Sequence, residues 1–419
     1  MSPRVVLLGL LLVLMPLPCF AQNASLPGPR PGAFSAVSVQ MSPVADRFVV
    51  LRKPSPPPVS ESDHLNPKQG EDATTKKKPK KARDKDVASL SDLLGGTSPW
   101  LFFDGVFDES GCRSPRLSRG ALVAAAICGG KGDRAGRTEY VIVRQGDGVR
   151  LYRVPVWLDG GEISLSSDGA RLAVVVNEDE RAALHILDLA ADRFVRISGA
   201  FENPRQPLLA GEAQVVAFEA RVSGVDTVLR VDLSEKSGQL AWSDPGDAAL
   251  LGISDNGTRL LVRNRPIDFG EIFVVDPGSS FVFDISGRSG DVLGAALHGG
   301  GSHVVFSAQI GGACGLYWAD LITRRRTNLM GANEYCFGQV HMDESRRFVQ
   351  YEQTLNRSTS RHYLRDRMSR GDTPHTELPP DCEDIALEPT GHYVAAFCSE
   401  GDKAPGLFVF AIDQKRRKR

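Results

Sequence analysis

A peptide pattern recurs along this chain at a nearly constant interval, and it limits what the chain can fold into. Six copies end an apolar run in aspartate at intervals of 44, 44, 44, 46 and 47 residues: Asp188, Asp232, Asp276, Asp320, Asp366 and Asp413. Each run follows a turn and another apolar stretch, as in SSDGARLAVVV and SDNGTRLLV. A repeat of this period is typical of solenoids, propellers and other arrays whose units cannot bury their apolar faces alone.

The apolar pattern inside each unit has a period of two, as in RLAVVV and LHILDL. β-branched and aromatic residues fill these short runs and turn residues separate them, which predicts four strands per unit. Turns such as S-D-G and D-N-G favour tight hairpins, because Gly and Asn accept positive φ at little cost. Four short strands in each unit are the signature of a β-propeller.

The number of blades depends on less regular copies near the N-terminus. Residues 41–51 match a hairpin, residues 100–104 match a third strand that ends in Asp104, and a further unit without the aspartate follows within residues 117–156. The sequence therefore predicts an all-β protein, a β-propeller of eight four-stranded blades. Seven blades is the alternative if the first hairpin only completes the ring.

The last copy has no evident fourth strand, so its sheet would end at an exposed edge. We expect a strand from the N-terminal region to complete this blade, because closure removes the edge. Residues 22–34 are rich in proline and are a poor candidate for that strand.

The chain begins with a targeting segment. Arg4 precedes the apolar run VVLLGLLLVLMPLP and then CFA, which predicts a secretory signal peptide over residues 1–21, cleaved after Ala21. An uncleaved membrane anchor is an alternative, for which the apolar core is short. A lipoprotein anchor is another, but Pro18 stands where a small residue usually precedes the cysteine. We expect an exported protein, periplasmic or extracellular, that does not span the membrane.

Residues 22–413 are predicted to form a single β-propeller domain with one insertion, residues 54–98, in the first blade. The insertion opens with PSPPP, and its basic residues are crowded together: Lys76, Lys77, Lys78, Lys80, Lys81, Arg83 and Lys85. Few apolar residues are present to offset the cost of ordering it, so we expect disorder. It is either a solvated loop or an arm for an anionic partner such as lipid, glycan or an acidic protein. The basic tail, residues 414–419, has the same two interpretations.

Six of the seven cysteines follow the leader, an even number that suggests disulfides in an exported protein. Two pairs, Cys112 with Cys128 and Cys382 with Cys398, have the same spacing. The members of each pair lie at equal distances from a turn, so a hairpin would place them opposite each other. Cys314 and Cys336 are paired by elimination. Free buried thiols are the alternative, and no C-x2-C or His–Cys cluster supports a metal site.

Sequence motifs for catalysis or cofactor binding are missing. The chain contains no G-x-S-x-G, H-E-x-x-H or G-x-x-x-x-G-K-[ST], and its net charge of −1 gives no general attraction for nucleic acid. His298 and His341 fall on predicted innermost strands, where a histidine either serves as a ligand or catalytic group or only hydrates a channel. The repeated aspartates are interpreted as turn caps, one per blade. We predict no catalytic, cofactor-binding or metal-binding residues.

The units ISLSSDGARLAVVV, LGISDNGTRLLV and VQMSPVADRFVVL resemble the WD40-like PD40 repeat, whose core reads S-P-D-G before a basic residue and an apolar strand. That repeat builds the propellers of the periplasmic TolB protein and of prolyl-oligopeptidase-type enzymes. The resemblance covers about residues 36–413. The proline of the core is kept only at Pro43 and Pro389. TolB's N-terminal α/β domain and the oligopeptidases' hydrolase domain have no counterpart, so neither TolB's partners nor the hydrolase activity is implied.

Two functions are compatible with these features. The first is an exported, non-catalytic propeller that acts as a scaffold for an unidentified protein partner, with loops at one face of the ring as its contact surface. The alternative is a propeller enzyme, or a protein that binds a small ligand or glycan, with its site at the channel mouth. Histidine, arginine and carboxylates that converge at the mouth would favour the alternative. An apolar or mixed patch on one face would favour the scaffold.

Overall fold

The computed structural model describes only part of the chain. The described residues are 33–34, 38–41, 50–53, 100–101, 112–129, 139–145, 148–154, 156, 163–212, 214–243, 248–264, 270–279, 281–286, 290–333, 336–356, 359–367, 376–377, 382–398 and 406–412. The predicted signal peptide (1–21), basic insertion (54–98) and basic tail (414–419) lie outside them, as do Asp104 and Asp413.

Four short strands come first in the chain. They are β1 (Ala33–Phe34), β2 (Ser38–Met41), β3 (Val50–Lys53) and β4 (Trp100–Leu101). Seven antiparallel sheets follow in chain order and are called sheets 1 to 7 here. Within the described part of the chain, no helix is long and apolar enough to cross a membrane.

Each of the first six sheets consists mainly of four consecutive strands, which pair in chain order. Sheet 1 contains β5 (Cys112–Leu117), β6 (Val123–Gly129), β7 (Glu139–Gln145) and β8 (Gly148–Val154). Sheet 2 contains β9 (Ser164–Leu165), β10 (Arg171–Glu178), β11 (Arg181–Asp188) and β12 (Arg193–Ser198). Sheet 3 contains β13 (Glu202–Leu209), β14 (Val215–Val222), β15 (Val225–Asp232) and β16 (Ser237–Ser243). Sheet 4 contains β17 (Ala248–Ile253), β18 (Leu260–Asn264), β19 (Glu271–Asp276) and β20 (Phe281–Asp284). Sheet 5 contains β21 (Gly290–Leu297), β22 (His303–Ile310), β23 (Ala313–Asp320) and β24 (Arg325–Asn333). Sheet 6 contains β25 (Phe337–Met342), β26 (Phe348–Asn356), β27 (Thr359–Asp366) and β28 (Thr376–Glu377). Sheet 7 contains β29 (Cys382–Leu387), β30 (Tyr393–Cys398) and β31 (Gly406–Ala411).

The middle strands of the sheets are buried on both faces. On β10, every residue from Leu172 to Val176 is at most 3% exposed. A sheet with one wet face would alternate buried and exposed residues, so this run shows that sheet 2 packs against a neighbour on each side. The β-branched and alanine-rich composition of these strands suits such double burial.

The apolar core lies between consecutive sheets. Tyr152 of sheet 1 shares a cluster with Leu172 of sheet 2, and Trp318 of sheet 5 shares one with Tyr351 of sheet 6. Corresponding clusters join sheets 2 and 3, 3 and 4, 4 and 5, and 6 and 7. In addition, β5 of sheet 1 contacts β29 and β30 of sheet 7.

The four N-terminal strands add to the outer edges of sheets formed by later parts of the chain. β1 pairs with β16, β2 with β12, β3 with β8, and β4 with β31, so the segment visits sheets 3, 2, 1 and 7 in turn. As predicted, a strand from the N-terminal region completes the last sheet, with Trp100 opposite Val409.

The prediction for the first blade was wrong. The hairpin predicted over residues 41–51 disagrees with the described strands, because β2, which ends at Met41, and β3, which begins at Val50, pair with strands of two different sheets. β4, the described part of residues 100–104, is the outermost strand of sheet 7 rather than a third strand. The described residues therefore form seven sheets rather than the expected eight, and the copy assigned to an extra blade is spread over the edges of others.

The cysteine pairs fit the strand register. Cys112 lies opposite Cys128 and Cys382 lies opposite Cys398, and both Cys128 and Cys382 are disulfide-bonded. Cys314 and Cys336 form a disulfide between sheets 5 and 6, with Cα atoms 4.9 Å apart. The pairing proposed by elimination is confirmed.

Removing the Cys314–Cys336 disulfide should destabilise the junction of sheets 5 and 6. The C314S/C336S double variant should lose about 3 kcal/mol of unfolding free energy. The bond closes a loop and so limits the conformations that the unfolded chain can adopt. Urea denaturation measures this loss. Peptide mapping of the unreduced wild-type protein is the control, and it should give three bonds with the pairings above. A mixed set of pairings would contradict the register.

Candidate functional site

Seven six-residue turns, called the inner turns here, connect the first and second strands of the sheets. They are residues 118–123, 166–171, 210–215, 254–259, 298–303, 343–348 and 388–393. In every one, the backbone N–H of the first residue donates to the carbonyl of the sixth, over 2.8 to 3.2 Å. The inner turns therefore share one geometry despite their different sequences.

The S-D-G and D-N-G patterns are explained by this geometry. The first residue folds its side chain back to cap the turn: Ser166 Oγ accepts from Arg171 N–H at 3.0 Å, and Ser254 Oγ accepts from Arg259 N–H at 2.9 Å. The fourth residue has positive φ, 72° at Gly169, which glycine adopts without a Cβ penalty. Arg346 holds the equivalent position in sheet 6 at φ 62°.

Each inner turn is hydrogen-bonded to the next, and the bonds form a closed circuit called the turn circle here. From sheet 1 round to sheet 1 they are Arg119 N to Ser167 O, Asp168 N to Gly211 O, Glu212 N to Asp255 O, Asp255 N to Gly299 O, His298 Nε2 to Glu344 O, Glu344 N to Pro389 O, and Gly120 N to Glu388 Oε1. Five of these bonds are made by backbone alone, so the circle depends on turn shape more than on side chains.

Side chains complete the turn circle at two points. His298 Nε2 lies 2.7 Å from the carbonyl of Glu344, while its Nδ1 lies 3.1 Å from the N–H of Gly300. Nε2 therefore carries the hydrogen and Nδ1 accepts, which assigns the neutral tautomer from its partners. Glu388 is fully buried and accepts from Gly120 N–H at 2.6 Å and from His392 N–H at 3.1 Å.

Charged groups converge on the turn circle. The guanidinium of Arg119 donates to both carboxylate oxygens of Glu344, at 2.7 and 3.2 Å. This pair spans sheet 7, because Arg119 belongs to sheet 1 and Glu344 to sheet 6. Asp255 faces the same pair, and burial together with repulsion by Glu344 raises the pKa of its carboxyl, against the opposing effects of Arg119 and His298.

The two histidines singled out from the sequence occupy different places. His298 lies in the inner turn that follows β21, rather than on that strand. His341 lies on β25, the first strand of sheet 6, as expected. Burial, with repulsion by Arg116 and His362, lowers the pKa of His341 to about 4. It is therefore neutral at pH 7, well away from the pKa that suits a general base.

The repeated aspartates cap the turns between third and fourth strands, called the outer turns here. The Oδ1 atoms of Asp188, Asp232, Asp276 and Asp320 each accept from the backbone N–H groups two and three residues later. The turn-cap interpretation is confirmed for these four. Asp366 instead binds the guanidinium of Arg347 through both carboxylate oxygens.

The inner and outer turns lie at the same end of each sheet, because successive strands are antiparallel. We call this end the turn face. The two most exposed large apolar side chains of the described residues are both on it: Leu122, 72% exposed in the inner turn of sheet 1, and Ile322, 76% exposed in the outer turn of sheet 5. The face therefore combines apolar and charged groups.

A second group of charged side chains lies at the opposite end of sheet 2. His185 is fully buried with Nε2 2.8 Å from Glu178 Oε1, and Arg196 Nε lies 2.9 Å from the other oxygen. Glu178 and Arg196 border a cavity of about 350 Å³ that Asp179 and Arg181 also line. Within the described ranges, no three His, Cys, Asp or Glu residues are placed to hold a metal ion.

The sequence did not single out Arg119, Glu344, Asp255 or His185. Arg119 and Glu344 hold the second position of an inner turn, as Asp255 does. Aligning the turns by position would have placed these three residues together, since the alignment follows directly from the repeat. Nothing in the local sequence marks His185, which depends on Glu178 across a hairpin.

Comparisons with known structures identify the fold. The β-propeller domain of the Trilobed protease from Pyrococcus furiosus, described as having an open velcro topology, matches with a TM-score of 0.56 at 12% identity, over 71% of this chain and 94% of that one. Oligogalacturonate lyase from Vibrio parahaemolyticus matches with a TM-score of 0.56 at 10% identity, over 76% and 97%. The fold is that of a β-propeller. TolB from Acinetobacter baumannii is also among the structural neighbours, with a TM-score of 0.44 at 15% identity, over 68% and 79%.

No protein-family model matches the sequence, and no curated protein matches it. The structural likeness, at these identities, establishes the fold alone. The structural neighbours include a domain of a protease and a lyase, so the fold does not decide between catalysis and binding.

Replacing Glu388 should open the turn circle between sheets 7 and 1. The E388A variant should lose about 1–3 kcal/mol of unfolding free energy, because the N–H groups of Gly120 and His392 would lose their charged acceptor. Chemical denaturation measures the change. E212A is the matched control, since Glu212 is exposed and joins the circle through its backbone. Equal stability of the two variants would contradict the role given to Glu388.

Asp255 should make stability depend on pH. A carboxyl with a raised folded pKa binds its proton more tightly when folded, so its ionised form lowers stability at pH 7. This cost is absent once the pH falls below the unfolded value of 3.8. D255N should therefore raise the unfolding free energy at pH 7 by less than about 1 kcal/mol, and should match wild type near pH 3. Thermal denaturation at both pH values measures this.

The contrasting variant for this test is D232N. Burial raises the pKa of Asp232, but hydrogen bonds from Ser234 and Glu235 outweigh burial and lower it. Losing that ionised cap should reduce stability at pH 7, the opposite sign to D255N. A decrease for both variants at pH 7 would contradict the account of Asp255.

Proposed function

We propose that this chain is an exported, non-catalytic β-propeller that acts as a protein–protein interaction scaffold, with the turn face as its contact surface. The exposure of Leu122 and Ile322 on that face carries the proposal. Strongly exposed apolar side chains on a face that also carries charged groups suit a protein partner, since interfaces combine apolar and polar contacts.

The scaffold is proposed to be a closed ring of seven blades. Its support is the unbroken turn circle, the succession of cores between sheets, and the contact of β5 with β29 and β30. β4 would fasten the ring by pairing with β31. A closed ring holds the inner turns rigidly, and preorganised loops bind with less entropic cost. The E388A measurement tests the closure.

The alternative, an enzyme or small-ligand protein, is favoured by one observation. Arginine, histidine and carboxylates do converge on the turn circle, at Arg119, His298, Asp255 and Glu344. However, both ring nitrogens of His298 bond to the turns, and Arg119 holds Glu344 in an ion pair. Groups that are engaged in the scaffold are less available for chemistry, so we prefer the binding function.

Export is proposed from two features of the sequence. Residues 1–21 have the layout of a cleaved leader, and the six remaining cysteines are predicted to form three disulfides, which persist in oxidising compartments. Residues 54–98 are proposed as a second contact, for an anionic partner. The affinity purification described below distinguishes this contact from the turn face by deleting these residues.

The function is tested by affinity purification of the mature protein, beginning at Gln22, from its native envelope fraction. Wild type should retain a stoichiometric protein partner, and the L122D/I322D double variant should lose it, because a carboxylate at each site removes the apolar contact. Quantitative mass spectrometry of the eluates measures the retained partner.

Two further forms complete the purification. L293D is the matched control, since Leu293 is 36% exposed in the half of β21 that lies away from the inner turn, and it should retain the partner. Deletion of residues 54–98 should also retain it if the turn face is the contact. A partner lost only on that deletion would move the contact to the basic arm, and no partner in any form would refute the scaffold.

A further inference from the structure

Two arginines meet on the turn face where sheets 5 and 6 pack together. Arg346 is exposed in the inner turn of sheet 6, and Arg367 follows β27 of the same sheet. Nη1 of Arg367 donates to the carbonyl of Arg346 at 2.6 Å. We call these two residues the arginine pair.

Arg367 is half-buried against an aromatic ring of the neighbouring sheet. Its guanidinium carbon lies 3.5 Å from the centre of the Trp318 ring, and its backbone N–H donates to Arg347 O at 2.8 Å. A guanidinium held in this way has little freedom to turn away from its neighbours. The geometry therefore fixes one arginine beside another.

Neither member of the arginine pair forms an ion pair with a residue that the structure describes. The nearby carboxylates are engaged: Asp366 holds Arg347, Asp320 caps its outer turn, and Asp343 is buried and accepts from Phe348 N–H. Burial and repulsion by Arg346 lower the pKa of Arg367. Attraction by Asp343 opposes this lowering but does not outweigh it. Holding two guanidiniums side by side is therefore costly, and an incoming anion would offset that cost.

The same turn face shows what its arginines bind. Arg347 holds Asp366 through three contacts of 2.9 to 3.1 Å, and Arg119 holds Glu344 through two. Both are forked guanidinium–carboxylate pairs, the geometry for which arginine is suited. Ile322, in the outer turn of sheet 5, is exposed on the same face. It offers an apolar contact to a polypeptide, which carries apolar as well as acidic side chains.

We propose that the arginine pair is the docking site for an acidic segment of a protein partner, whose Asp or Glu carboxylates bind Arg346 and Arg367. The proposal rests on the proposed scaffold function and specifies the partner's chemistry. The combination of paired guanidiniums with an exposed isoleucine favours a peptide over a sulfated or carboxylated polysaccharide, which would use the charges alone.

The sequence of the inner turns supplies a well-matched variant for the test. Sheets 2, 4, 5 and 7 have glycine where sheet 6 has Arg346: Gly169, Gly257, Gly301 and Gly391. R346G therefore removes the charge while giving the turn the residue that its positive φ prefers. A loss of binding in R346G cannot be attributed to a misfolded turn.

The experiment measures fluorescence anisotropy of a labelled hexaglutamate peptide with the purified mature protein. Wild type should bind, and R346G should bind more weakly by on the order of tenfold. R346K should fall between them, because lysine keeps the charge but not the forked geometry. R193Q is the control, because Arg193 is exposed at the outer turn of sheet 2 on the same face, and it should match wild type. A hexalysine peptide should not bind.

Equal hexaglutamate binding by R346G and wild type would overturn the proposal. Binding of dextran sulfate without binding of hexaglutamate would overturn it as well, in favour of a polyanionic glycan. This measurement needs no native partner, so it can fail while the L122D/I322D purification succeeds. A partner lost with L122D/I322D but kept with R346G would leave the scaffold function standing without the arginine pair.

Discussion

Apolar packing between consecutive sheets is the interaction on which the rest of the structure depends. Each apolar core is formed jointly by two sheets, and strands such as β10 are buried on both faces because a sheet packs on each side of them. A sheet removed from the series would expose apolar surface on itself and on both neighbours. Cooperative stability is therefore expected of the series rather than of any unit.

The turn circle converts this packing into a rigid surface, which is the contact surface proposed above. Each inner turn is held by its own closing hydrogen bond and by a bond to the next turn, so the exposed side chains project from a rigid frame. The charged groups nearest to the circle, including Arg119 and His298, are consumed in holding it together. Leu122, Ile322 and the arginine pair are not used in the circle, and they are the groups that the proposed partner would contact.

The repeat predicted the sheets well because its information is local. Strand periodicity, turn residues and the spacing of Cys112 and Cys128 all act within one unit, and the structure agrees with each. The N-terminal strands were harder, since β1 to β4 contain only two to four residues and pair with distant segments. Alternation in residues 41–51 predicts strands but not their partners, which is why an eighth blade was expected.

The candidate site was predicted less well for a related reason. The search for histidines and known motifs directed attention to His341, whose lowered pKa keeps it neutral. The charged groups that do converge, Arg119, Glu344 and Asp255, meet because each holds the second position of an inner turn. Arg119 and Glu344 are 225 residues apart in the sequence and become neighbours only because sheet 7 contacts sheet 1. The strands β1 to β4 have a further consequence, for the order of assembly. They are synthesised before the strands with which they pair, and β4 pairs with β31, which comes about 300 residues later in the chain. β4 can therefore pair only after all seven sheets have been made, so this step follows the synthesis of the others.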